Sequence, residues 1–241
     1  MVAPARLTGY KFHLVVSEGK RAQKMQTMPA HEGEACVSLR IIAIDDEADK
    51  GKSMGHKDVL RHMIKARSFQ YSETPSFLLS SGKKSHYYFN LKCVTMTSEG
   101  MLHIGNVVLD KIEELGLKAG VKAIGGLTMG ADPIANATAM VSYLRDKEHS
   151  LQAFSIRKEP KKYGLKLQIE GNAEPHDDVI IVDDVVTTGA STIKAIEIAR
   201  KNDLHIMAVI VLVDRCEENG RENIEEHGVK VHSIFTVEDL L

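Results

Sequence analysis

Adjacent carboxylates, a hydroxyl-rich glycine turn and a run of cations are the groups in this chain with the most chemistry to offer. Val179 to Ser191 reads V-I-I-V-D-D-V-V-T-T-G-A-S, so an apolar run leads into Asp183 and Asp184, then Val185 and Val186, then Thr187, Thr188, Gly189, Ala190 and Ser191. Desolvating a lone charge is costly, so two acids behind a buried run must be paired or must face a ligand. The plain alternative is one acid capping a helix with the other exposed. A helical pattern opens at Thr192, and the open N–H groups of a helix start suit a phosphate. Arg157, Lys158, Lys161 and Lys162 put four cations within six residues, a pattern that taken alone is usually solvated surface. Gly125 to Pro133, G-G-L-T-M-G-A-D-P, forms a glycine-rich turn with few side chains between a ligand and the backbone. Carboxylates for a diol, with N–H groups and cations for phosphates, together match a ligand bearing two phosphate groups and a diol.

The elements that must position these groups follow from apolar periodicity. Val59, Leu60, Met63 and Ile64 recur at helical spacing from His56 to about Ser68. Phe77 to Leu79 and Tyr87 to Leu91 read as short strands around the turn Ser81 to Lys84. A longer helix runs from Ser98 to Leu115 with Leu102, Val107, Val108, Leu109 and Ile112 inward and Gly116 near its end. Strand and helix then alternate: Ala123 to Gly126, Pro133 to Leu144, Ala153 to Ile156, Val179 to Val182, the helix Thr192 to Lys201, Ile206 to Val213, a helix around Ile224, and Val229 to Phe235. Such alternation predicts an α/β fold, a mainly parallel sheet flanked by helices. Ligands of such sheets lie at the carboxyl ends of the strands, where all three unusual segments fall.

Residues 1 to 53 do not share this pattern. They read as an extension, flexible or arising from an upstream start site, with the working domain at 54 to 241. Asp45-Asp46 and Gly51-Lys52-Ser53 imitate functional motifs there, but no T-T-G turn follows the first, and the second lacks the leading glycine of a phosphate loop. The 31 basic and 33 acidic residues leave a net charge of -2, which gives no support to a nucleic-acid or membrane-surface role. Without a long apolar span or a signal-peptide core, the sequence points to a soluble, cytoplasmic protein. Cys36, Cys93 and Cys216 lack any C-x-x-C spacing and read as reduced thiols in or near the core, and no histidine pattern suggests a metal held by protein ligands alone.

The Val179 to Ser191 segment resembles the phosphoribosyl pyrophosphate (PRPP) motif of the type I phosphoribosyltransferases. Phe77 to Asn90 (F-L-L-S-S-G-K-K-S-H-Y-Y-F-N), Gly125 to Ala135, Phe154 to Gly164 and Leu212 to Arg215 (L-V-D-R) resemble, in the same order, segments of the orotate phosphoribosyltransferases. The resemblance implies the type I fold with a small N-terminal hood, and transfer of the 5-phosphoribosyl group from PRPP to orotate in pyrimidine synthesis. It implies Mg²⁺ carried mainly by the pyrophosphate, and a homodimer. By the same resemblance Asp183 and Asp184 hold the ribose hydroxyls, with Asp184 counted among the catalytic groups. Val185, Val186, Thr187, Thr188, Gly189, Ala190 and Ser191 bind PRPP, with Thr187 to Ser191 the loop that cradles the 5′-phosphate. Arg157, Lys158 and Lys161 belong to the mobile loop that reaches the pyrophosphate, with Lys158 and Lys161 catalytic. Tyr88, Phe89, Thr187 and Arg215 meet orotate.

Three places depart from the family pattern: Tyr163 stands where many members have histidine, Ser80 where some have lysine, and Met129-Gly130 where some have tyrosine-lysine. Two alternatives share the PRPP motif, a transferase for another base and a PRPP-binding regulator without catalysis.

Overall fold

The structure, a computed structural model, describes residues 54–78, 82–159 and 168–241. The chain divides into Met1–Ala48 and Asp49–Leu241, and every described residue belongs to the second unit. The extension read at 1 to 53, together with Ser80, Lys161, Lys162 and Tyr163, lies outside the described residues.

The described chain opens with α1 (His56–Arg67), whose Leu60, Met63 and Ile64 are buried. Four short strands follow: β1 (Phe69–Tyr71), β2 (Phe77–Leu78), β3 (Lys84–Ser85) and β4 (Tyr87–Phe89). The strand at Tyr87 pairs with β1, while β2 pairs with β3, both antiparallel. Sequence reasoning missed β1 because Phe69–Tyr71 follows the helix without a turn signal. The short helix α2 (Lys92–Thr95) leads into α3 (Ser98–Glu114), capped by the Thr97 hydroxyl accepting from the Gly100 amide. Leu102, expected inward on α3, is instead 46% exposed. It falls outside the stripe of Ile104, Val107, Val108 and Ile112 that packs into the core.

The main sheet is built from β5 (Ala123–Leu127), β6 (Gln152–Ile156), β7 (Ile169–Gly171), β8 (Asp178–Val186), β9 (His205–Asp214) and β10 (Val231–Thr236). Helices α4 (Ala131–Arg145), α5 (Ala190–Lys201) and α6 (Gly220–Glu225) connect them, and a 3₁₀ turn at Val237–Leu240 ends the chain. Strand order is β10-β9-β8-β5-β6-β7, parallel throughout except for antiparallel β7 at the edge. Core residues sort to two faces: Ile180 and Val182 of β8 pack with α1, α3 and α4, while Val179 and Ile181 pack with α5.

Several expectations change with the structure. β8 does not stop at Val182: β9 continues beside it until Val186 pairs with Asp214, so both acids belong to the strand, and α5 starts at Ala190 rather than Thr192. Gly125 and Gly126 are not part of a ligand-facing turn. They lie buried within β5, where a Cβ would strike the carbonyl oxygens of Phe154 and Val182. Cys93 and Cys216 are free but exposed rather than in the core.

Candidate active site

Strand alternation turns Asp183 and Asp184 to opposite sides. Asp183 follows Val179 and Ile181 toward α5, where its Oδ2 accepts the hydroxyls of Ser191 at 2.7 Å and Thr192 at 3.0 Å. It is 5% exposed. Burial first, and the neighbouring Asp184 charge second, push its carboxyl up to about 6, against the lowering pull of those hydroxyls and of the Asp184 amide. Asp184 turns the other way and is half-buried, with Oδ2 lying 3.6 Å from Lys92 Nζ. Gly130, at the start of α4, backs the pair: a Cβ there would come within 2.7 Å of Asp184 Oδ1 and 3.0 Å of Asp183 Oδ1. Close approach of backbone to carboxylates requires the missing side chain.

The turn from Thr187 to Ser191 is braced from the side of α6. Asn223 Nδ2 donates to the Thr188 carbonyl, and Gly189 holds φ at +79° with no room for a Cβ beside the Gly220 carbonyl and Ile224. Among the described residues, the N–H groups of Thr188, Gly189, Ser191 and Thr192 donate to no acceptor. A helix N-terminus with open N–H groups in a left-handed turn is an anion cradle.

Arg215 stands at the end of β9 and is nearly buried. Its Nε donates to Glu217 Oε2 at 2.9 Å, its Nη2 forms an ion pair with the same oxygen at 2.8 Å, and Nη2 donates to Ser85 Oγ and the Tyr87 carbonyl, each at 2.9 Å. Ser85 Oγ in turn donates to Glu217 Oε1 at 2.7 Å, and Lys83 pairs with Glu218. This knot ties the small N-terminal strands to the carboxyl end of the sheet and leaves Nη1 of Arg215 without a partner among the described residues. The guanidinium lies 5.5 Å from the centre of the Phe89 ring. Tyr88 and Phe89 point to opposite faces of β4: Phe89 packs on Phe69, whereas Tyr88 is 44% exposed and stacks on Phe77. Alternation along the strand sets the two rings on opposite faces, Phe89 beside the Arg215 guanidinium and Tyr88 on the exposed side.

Arg157 and Lys158 are exposed just beyond β6; Arg157 reaches Glu170 at 3.8 Å. The structure therefore gathers Asp184, the Thr187–Ser191 turn, Arg215 and the start of the cationic segment at strand ends, as the topology rule requires. Sequence reasoning missed Lys92, Ser85, Glu217 and Asn223. Glu217 had a visible signal, an acid two residues after Arg215. Lys92 had none, since its partner is far away in the chain.

No protein-family model matches the chain. The orotate phosphoribosyltransferase of Aquifex aeolicus (strain VF5) is 43% identical over 188 residues, covering 78% of this chain and 99% of that protein. The chain belongs to the orotate phosphoribosyltransferase family. Its fold is also that of a phosphoribosyltransferase from Corynebacterium diphtheriae, with a TM-score of 0.63 at 26% identity over 78% of this chain and 99% of that one. The orotate phosphoribosyltransferase of Mycobacterium tuberculosis H37Rv superposes with a TM-score of 0.62 at 27% identity, covering 77% and 98% of the two chains. The type I fold expected from the PRPP motif is thus the fold observed.

Proposed function

We infer that the chain transfers the 5-phosphoribosyl group of PRPP to orotate, giving orotidine 5′-monophosphate and pyrophosphate. The observation that carries this is the convergence at the sheet's carboxyl end of an open carboxylate, a phosphate cradle and an anchored arginine, in a chain that belongs to this family. The C1–O bond of the ribose breaks with its electron pair going to pyrophosphate, and N1 of orotate, its proton lost, takes the vacated position at C1. Positive charge develops on the ribose and negative charge on the leaving group.

Asp184 accepts the ribose hydroxyls and stabilises the cationic sugar. Asp183, matched by the resemblance to the second acid of the diol site, acts from its buried position by fixing Ser191 and Thr192 so that the turn keeps its N–H groups aimed at the 5′-phosphate. Thr187 and Arg215 meet orotate, with Nη1 of Arg215 offered to the carboxylate, and Tyr88 and Phe89 border the base. Arg157, Lys158 and Lys161 hold the pyrophosphate.

Mg²⁺ demands an octahedron of oxygen atoms. Among the described residues no group of three His, Cys, Asp or Glu side chains could hold a metal ion, and Asp183 is engaged by hydroxyls and an amide. An ion carried by the diphosphate and its waters would be faced by Asp184, whose Oδ2 has no hydrogen-bond donor among the described residues. When bound, Mg²⁺ neutralises charge on the leaving group.

A homodimer is part of the same proposal, since α4 exposes Met140, Tyr143 and Leu144 on one side. Sedimentation at micromolar concentration tests it. No described helix is long and apolar enough to cross a membrane, and a cytoplasmic enzyme suits these substrates. The test of the activity is the fall in orotate absorbance with PRPP and Mg²⁺. Turnover of guanine or xanthine in place of orotate would overturn the assignment of the base, and PRPP binding without turnover of any base would overturn catalysis.

A further inference from the structure

Lys92 opens α2 directly after the aromatic strand β4, and its side chain crosses from the small N-terminal strands to the end of β8. Leu91 and Val94 are buried on either side of it, so its backbone is anchored while the side chain keeps 47% of its surface exposed. Nζ lies 3.6 Å from Asp184 Oδ2, beyond the reach of a direct charge-assisted hydrogen bond, about 2.7–2.9 Å. A half-exposed ion pair at this separation contributes little to stability. The cation stands beside the open acid of the site without being consumed by it.

Resting on the function proposed above, we propose that Lys92 is a substrate-binding residue that contacts the 1-diphosphate of PRPP. In the α-anomer of this sugar the diphosphate at C1 and the hydroxyls at C2 and C3 project from the same face of the ring. An acid that accepts the diol therefore has the diphosphate beside it, and a cation next to that acid meets the leaving group. When the hydroxyls occupy Asp184, the ammonium turns to the diphosphate oxygens, which gain charge as the C1–O bond breaks. Its interaction is stronger in the transition state than in the ground state, the condition for raising turnover. Lys92 belongs to a packed element rather than to the segment of Arg157 and Lys158, so the leaving group is held from two separate parts of the fold.

The experiment uses the full chain with Lys92→Gln, Lys92→Arg and, as a second neutral variant that keeps the apolar stem, Lys92→Met. Pyrophosphate product inhibition, ribose 5-phosphate binding by calorimetry and thermal melting are measured for each. Ribose 5-phosphate carries the diol and the 5′-phosphate but no diphosphate. The neutral variants are expected to weaken pyrophosphate inhibition about tenfold or more and to leave ribose 5-phosphate affinity within about twofold, the loss of one charge-assisted contact. Lys92→Arg should restore most of the pyrophosphate inhibition, and melting should not change. Equal weakening of both ligands would make Lys92 a mere support for Asp184 and overturn the proposal, as would unchanged pyrophosphate inhibition. A wild-type protein that fails to turn over orotate yet binds pyrophosphate, followed by calorimetry, in a Lys92-dependent way would sink the assignment of the base and leave that of Lys92 standing.

Discussion

Asp183 is where burial and chemistry oppose each other most directly. Its carboxyl, pushed up to about 6 mainly by burial, holds a proton in the folded chain over a range where the unfolded chain has lost it. Its contribution to stability is therefore present below its ordinary value near 3.8 and is lost as pH rises through about 6. Between pH 4.5 and 7 the wild-type melting temperature should fall relative to that of Asp183→Asn, which keeps an acceptor for Ser191 and Thr192 but cannot ionise. Melting curves of the two proteins that stay parallel across that range would refute the shift. Arg215 poses a different question, because Nε and Nη2 are already committed to Glu217, Ser85 and Tyr87. Lysine cannot keep that knot and also offer a nitrogen to a ligand. Arg215→Lys should raise KM for orotate about tenfold or more, with a smaller change in KM for PRPP. Steady-state kinetics varying each substrate checks this, and equal rises for both would mean that Arg215 only holds the fold together.

At the scale of elements, β8 decides what each acid can do, since alternation sends Asp183 to the helix α5 and Asp184 to the open side. Much of the main sheet was legible in the sequence because buried parallel strands write themselves as apolar runs, such as Val179 to Val182 and Ile206 to Val213. The strand's continuation through the acids was not legible: it depends on the ladder with β9, which extends to Val186 and Asp214. The short strands near the N-terminus were only partly readable, because pairs as brief as Phe77 with Ser85 are set by tertiary packing rather than by a period. The candidate site divided the same way. The turn from Thr187 to Ser191 carried its chemistry in its residue types, whereas Gly130 showed its purpose only once the start of α4 lay against the two carboxylates. Its backbone is ordinary right-handed helix, φ -65°, so alanine is not strained there. The added methyl must instead displace Asp184. Gly130→Ala should therefore raise KM for PRPP several-fold while leaving the urea midpoint nearly unchanged. A drop in midpoint with unaltered kinetics would show that the contact serves packing alone.

At the scale of the whole molecule, the site is joined from sequence-distant parts: Ser85 and Lys92 from the small N-terminal strands and α2, Asp184 from the middle of the sheet, Arg215 and Glu217 from β9 and its exit. All lie within 54–241, and so do the turn from Thr187 to Ser191 and the segment containing Arg157, Lys158 and Lys161. The Aquifex aeolicus relative is covered over 99% of its length by 188 residues of this chain, which is 78% of the 241 present. A protein of that family thus accounts for its own length with the matched portion alone. If residues 1–53 add nothing to the site, a chain beginning at Met54 should keep kcat/KM for both substrates within about twofold of the full chain, the scatter expected when no contact is lost. Its melting temperature should also stay within about 2 °C, less than the shift that a loss of 1 kcal/mol produces in a domain of this size. Both are measured on the two purified chains side by side. A large fall in turnover with unchanged melting would instead place a group from residues 1–53 at the site, and a fall in melting would assign those residues to the stability of the sheet domain.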